Sequence, residues 1–118
     1  MKVCGAKPWI AVFAGVALAA NAAEWKPLTG TYAITERSLL DPGAEEPRDT
    51  HFRLQLRGAA ASDLYQAMKT AAIRDECTGA SLKRVGDMRC RYYANDKHYE
   101  CDFSIDIAGQ KIDYGVPC

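Results

Sequence analysis

The chain has 118 residues, with 15 Lys+Arg against 15 Asp+Glu and five cysteines. A chain this short holds one small domain, and no internal repeat divides it. Its charge balance gives no strong pull toward phosphate backbones, which excludes the electrostatics of a nucleic-acid binder.

Residues 1–22 read as a cleaved secretory signal peptide. Lys2 and Lys7 form a basic start, residues 9–20 are apolar and uncharged, and Ala20, Asn21, Ala22 and Ala23 supply the small residues of a cleavage site after Ala22. The apolar run is about 12 residues, short of the roughly 20 that span a bilayer, so no permanent membrane anchor is expected. Cys4 precedes the apolar run, where a lipid-bearing cysteine does not lie, and leaves with the leader. The alanine-rich leader points to bacterial Sec-type export, so a periplasmic or secreted location is expected. Because the leader holds two lysines and no acid, residues 23–118 carry 13 basic and 15 acidic side chains, a net charge of −2.

In chain order, the segment 31–36 alternates weakly, with Tyr32 and Ile34 on one side, and is read as a strand. Residues 38–49 contain Pro42, Gly43, Pro47 and several charges, which predicts a long exposed loop. Residues 50–57 alternate cleanly: Phe52, Leu54 and Leu56 face one way, Arg53, Gln55 and Arg57 the other. This predicts a second strand antiparallel to the first. Gly58 then breaks the period, and Ala61, Leu64, Tyr65, Met68 and Ala72 recur at helical spacing behind a cap at or before Ser62. From Ser81 onward a four-stranded meander is expected, turning at Gly86-Asp87, Asn95-Asp96 and Ala108-Gly109. Tyr99, Cys101, Phe103, Ile105 and Ile107 share its inner face with Ile112, Tyr114, Val116 and Cys118. The fold class that follows is α+β: an antiparallel sheet of about six strands with one amphipathic helix on one face, disulfide-stabilised, over residues 23–118.

Cys77, Cys90, Cys101 and Cys118 remain after cleavage, at intervals of 13, 11 and 17. Structural zinc ligands come in close pairs, and no Cys-x-x-Cys is present, so disulfides are the expectation, with neither metal nor cofactor. A turn at Asn95-Asp96 pairs Tyr93 with His98, Tyr92 with Tyr99, Arg91 with Glu100 and Cys90 with Cys101. Directly opposed strand residues lie within disulfide reach, which predicts Cys90–Cys101 and leaves Cys77–Cys118. The same register sets Arg89 against Asp102, and the following turn sets Asp106 against Lys111. Charges matched in this way predict a wet, salt-bridged sheet surface.

No catalytic residue is identified. His51 and His98 lack a nucleophile and an orienting group in the sequence, and the paired acids Glu100, Asp102 and Asp106 read as solvent-exposed and paired with cations. Binding candidates are Tyr93 and His98, projecting together near a hairpin tip, and Leu39, Leu40, Glu45 and Glu46 on the long loop. The expectation is a non-enzymatic exported protein that binds another macromolecule, a protein partner in the periplasm, as an inhibitor or immunity-type protein does. A small-ligand carrier and a small cell-wall hydrolase are the alternatives.

Overall fold

A computed structural model describes residues 23–117; the expected leader, its cleavage point and Cys118 lie outside the described residues. Alternation produces the strands where it was expected: β1 (Gly30–Thr35), β2 (His51–Arg57), β4 (Ser81–Val85), β5 (Met88–Tyr93), β6 (His98–Asp106) and β7 (Lys111–Asp113), with one helix, α1 (Gly58–Ala67). A two-residue strand, β3 (Ile73–Arg74), pairs antiparallel with β4 and was not expected. The fold is α+β, a seven-stranded antiparallel sheet ordered β1-β2-β6-β5-β4-β3, with β7 alongside β6. The first two strands thus join the meander through β2 and β6, paired from His51↔Asp106 to Arg57↔Glu100.

The hairpin registers agree with those read from the sequence, including Cys90↔Cys101, Tyr93↔His98 and Asp106↔Lys111. The turn chemistry differs: the residue with positive φ in the 94–97 turn is Lys97, at 55°, rather than Asn95 or Asp96. Cys90 and Cys101 form a disulfide with Cα atoms 4.0 Å apart. Cys77 is disulfide-bonded as well, and its expected partner Cys118 lies outside the described residues.

The helix is shorter than its period suggested, ending at Ala67 rather than near Ala72. Its start also differs. The cap is Arg57, still extended at the end of β2 and making no side-chain cap bond, so the chain turns from strand to helix at Gly58, where φ is +60°. At the other end Lys83 Nζ donates to the carbonyls of Tyr65 and Met68, at 3.3 and 3.2 Å. A cation there satisfies orphan carbonyls and opposes the negative end of the helix dipole.

Ala61 and Tyr65 of this element, with Met68 just past its end, pack onto Leu56, Cys90 and Cys101 to form the buried core. Tyr99 packs against both Tyr65 and Tyr92, with ring centroids 5.2 and 4.7 Å apart. No helix among the described residues is long and apolar enough to cross a membrane.

Candidate functional site

Directly opposed residues of an antiparallel sheet share a face, so the register assigns each side chain to a side. On the helix side one row runs Ile34, Phe52, Ile105, Ile112 across β1, β2, β6 and β7. The next runs Tyr32, Leu54, Phe103, and the third Gly30, Leu56, Cys101, Cys90. A ten-residue helix is about 15 Å long, which covers only part of this face. It packs over the third row and the tyrosines beyond it, leaving the first row open. Tyr32 is 70 % exposed, Ile34 49 %, Ile112 43 % and Ile105 38 %, and Ile107 past the end of β6 is 52 % exposed. Tyr32 and Phe52 pack against one another here, with ring centroids 5.4 Å apart and planes tilted by 38°. The inward alternation read along β6 is therefore correct in parity, but Ile105 and Ile107 are not core.

The opposite face departs from the expectation of a wet surface. Asp102 and Arg91 are buried, as are His51, Arg53 and Ser104. The reason is the path of the chain after β7. Strand pairing stops at Asp113 instead of running to Val116, and residues 114–117 cross over β6. Gly115 passes so close that a Cβ would collide with the Phe103 backbone nitrogen, which is what a glycine permits here. Tyr114 and Val116 consequently lie against this polar face rather than joining the apolar set of Ile112.

Arg53 secures the crossing. Its guanidinium donates to the carbonyls of Tyr114 and Gly115, at 2.7 and 2.8 Å, and to those of Glu36 and Arg37, at 3.0 and 2.8 Å. One buried cation thus ties β2 to the C-terminal segment and to the start of the long loop. Asp102 accepts from Arg89 at 2.8 Å, from Arg91 at 2.9 Å and from the Val116 N–H at 3.1 Å. Arg91 Nε also donates to Asp75 at 2.6 Å. Burial alone would raise the Asp75 carboxyl, but hydrogen bonds from Thr78 and Arg91, with the Arg91 charge, hold it below its ordinary value. The cross-strand charge pattern set the register correctly, while the ion pairs it forms are interior.

The acids weighed as a pair in the sequence each have a partner. Asp102 is committed to two arginines, Asp106 Oδ1 accepts from the Gly109 N–H at 3.0 Å, and Glu100 pairs with His98 at 3.2 Å. His51 does acquire neighbours that the sequence did not reveal. Nδ1 lies 2.9 Å from the Thr50 hydroxyl and Nε2 3.2 Å from Asp113. The residue is 1 % exposed, and the trio ties β2 to β7. No group of three or more His, Cys, Asp or Glu suited to holding a metal occurs among the described residues.

The candidate binding residues divide. Tyr93 and His98 do come together, stacked at 4.5 Å with planes 3° apart. His98 Nδ1 lies 2.5 Å from Asp96 and Nε2 3.2 Å from Glu100. The hydrogen bond that the imidazole donates to the Asp96 carboxylate is the largest effect on it; with the weaker one to Glu100 it raises the imidazole above its ordinary value, although burial opposes both. On the long loop, Glu46 is structural. Its carboxylate accepts from the Ser38 and Gly43 N–H groups at 2.7 and 3.2 Å and folds the loop on itself. Leu39 is half-buried, lining a groove of about 290 Å³ with Ala33, Gly115 and Val116. Leu40 and Glu45 are left exposed, Leu40 at 79 %. Sequence reasoning missed the open apolar row because alternation gives the side a residue faces and not what covers it.

Comparison of the chain with protein-family models, curated proteins and solved structures found no match.

Proposed function

We propose that the protein is a non-enzymatic exported binding protein, and that it engages another protein through the open part of its sheet face. The observation carrying this reading is the uncharged row Ile34, Phe52, Ile105, Ile112, which neither α1 nor any other described element covers. Contiguous exposed apolar surface on a small domain marks an interaction site, since leaving it in water costs free energy that contact with a partner recovers. The buried ionic layer on the opposite face, together with the disulfide, stiffens the sheet, so little ordering entropy is lost on docking. The export signal and the paired cysteines support a periplasmic or secreted site of action, with an inhibitor or immunity-type role as its form. The stacked Tyr93 and His98 at the hairpin tip, flanked by Asp96 and Glu100, offer a second, polar contact. A carrier of small ligands fits less well, because Leu56, Ala61, Tyr65, Met68, Cys90 and Cys101 fill the space beneath the helix.

Affinity capture from periplasmic extract with the parent and with the double variant Ile105→Lys/Ile112→Lys tests the reading. A protein retained by the parent and lost with the variant is expected, while a variant deleted for residues 39–46 measures the loop's share. Retention that ignores both changes, or no retained protein at all, contradicts it.

A further inference from the structure

The outer edge of β1 carries a second inference that does not depend on which protein the open face binds. Thr29 accepts from the Arg57 N–H and Thr35 from the Thr50 N–H, both at 3.0 Å, so the odd-numbered residues of β1 turn their backbone groups toward β2. Backbone groups alternate in direction along a strand, which leaves those of Gly30, Tyr32 and Ile34 facing outward. Among the described residues, the strand neighbour of β1 is β2 alone.

Exposed edges are normally blocked by charge, proline, a bulge or shortness. The sequence Gly-Thr-Tyr-Ala-Ile-Thr has neither charge nor proline, its register with β2 runs unbroken through six pairs, and residues 30–34 are all exposed. The far end of the sheet is defended instead: β3 is two residues long and carries Arg74, and β4 beside it carries the exposed Arg84.

We propose that β1 pairs antiparallel with β1 of a second copy of this chain across a two-fold axis. A second copy is the occupant the edge itself specifies, because its alternating donors and acceptors are self-complementary under a two-fold and no like charges meet. Outward groups bond only with outward groups, so Tyr32 lies opposite Gly30, Tyr32 or Ile34 of the second copy. Each of these registers matches even-numbered residues with even, and opposed residues share a face. The two open apolar rows therefore lie side by side on one surface, a doubled site for a partner. One strand pair buries less than the roughly 800 Å² that each partner gives a standard interface, so the dimer is a weak one.

Sedimentation equilibrium of the purified protein up to high micromolar concentration, with amide exchange at matched concentrations, tests this. A monomer–dimer equilibrium is expected in which the Tyr32 and Ile34 amides gain protection as dimer forms. Tyr32→Pro deletes an outward donor without touching the bonds to β2 and should raise the dissociation constant about tenfold or more. Amide protection in the unaltered protein reads the edge even if that variant fails to fold. A monomer throughout the series overturns the proposal, as does a dimer abolished by Ile105→Lys and kept by Tyr32→Pro, which would place the contact on the face. Dimerisation with no captured partner upholds the edge contact and sinks the binding reading, so the two fail separately.

Discussion

Arg91 and Asp102 meet 2.9 Å apart on the sheet face away from the helix, with their side chains only 10 % and 8 % exposed. Asp102 is the acceptor shared by Arg89, Arg91 and the Val116 N–H, so it joins β5, β6 and the C-terminal segment. Removing it leaves Arg89 with no carboxylate in a desolvated layer and Arg91 with Asp75 alone.

Asp102→Ala should therefore destabilise the fold by about 3–5 kcal/mol, the range found when one member of a buried ion pair is deleted. Glu100→Gln, at a half-exposed position on the same strand and face, should change stability by less than about 0.5 kcal/mol. Urea unfolding of the two variants beside the parent checks the contrast, and equal effects would refute the interior placement of Asp102.

Acid should unfold the protein partly through Asp75. Its folded pKa lies below the ordinary 3.8 despite burial, because Thr78 and Arg91 hydrogen-bond the ionised form. A depressed carboxyl contributes stability that is present above 3.8 and is lost as pH falls through the lower folded value. Asp113 shifts in the same direction: burial opposes, but the Tyr114 N–H and His51 prevail. Asp75→Asn should flatten the acid limb of a stability-versus-pH curve measured below pH 4. A limb as steep as the parent's would remove Asp75 from the account.

The disulfide between Cys90 and Cys101 closes an 11-residue separation and sits at 0 % and 1 % exposure within the core. Replacing both cysteines by alanine should cost about 2–4 kcal/mol, read from the shift in the unfolding midpoint. In the native protein this bond should resist a reductant that opens it readily in urea, as thiol titration with and without denaturant would report.

The parts of the fold that alternation and turn spacing determine were legible in the sequence. Once Cys90 lies across from Cys101, the pairs Tyr92–Tyr99 and Arg89–Asp102 follow, since the side-chain period is two and one residue of slip would invert the sheet. What covers each face was not legible, because it depends on tertiary path. Gly115 carries the chain over β6 and buries Arg53 and Asp102, and a single glycine in an apparent strand does not announce which way the chain will turn. The helix ends at Ala67, where the chain becomes extended at Met68 and Lys83, a residue of a later strand, meets its last carbonyls, a contact that helical spacing does not reveal. The pairing of Tyr93 with His98 was legible because they are neighbours across one hairpin. The row Ile34, Phe52, Ile105, Ile112 spans four strands, and only the order β1-β2-β6 with β7 alongside brings it together.

The account depends most directly on that row lying in solvent in the isolated protein. Urea unfolding of Ile105→Lys/Ile112→Lys measures this, since lysine at a solvated strand position changes stability by no more than about 1 kcal/mol, whereas buried in a core it costs several. An unfolding midpoint close to the parent's is predicted. A loss of several kcal/mol would mean that the row is packed, and would contradict both the open face and the binding surface drawn from it.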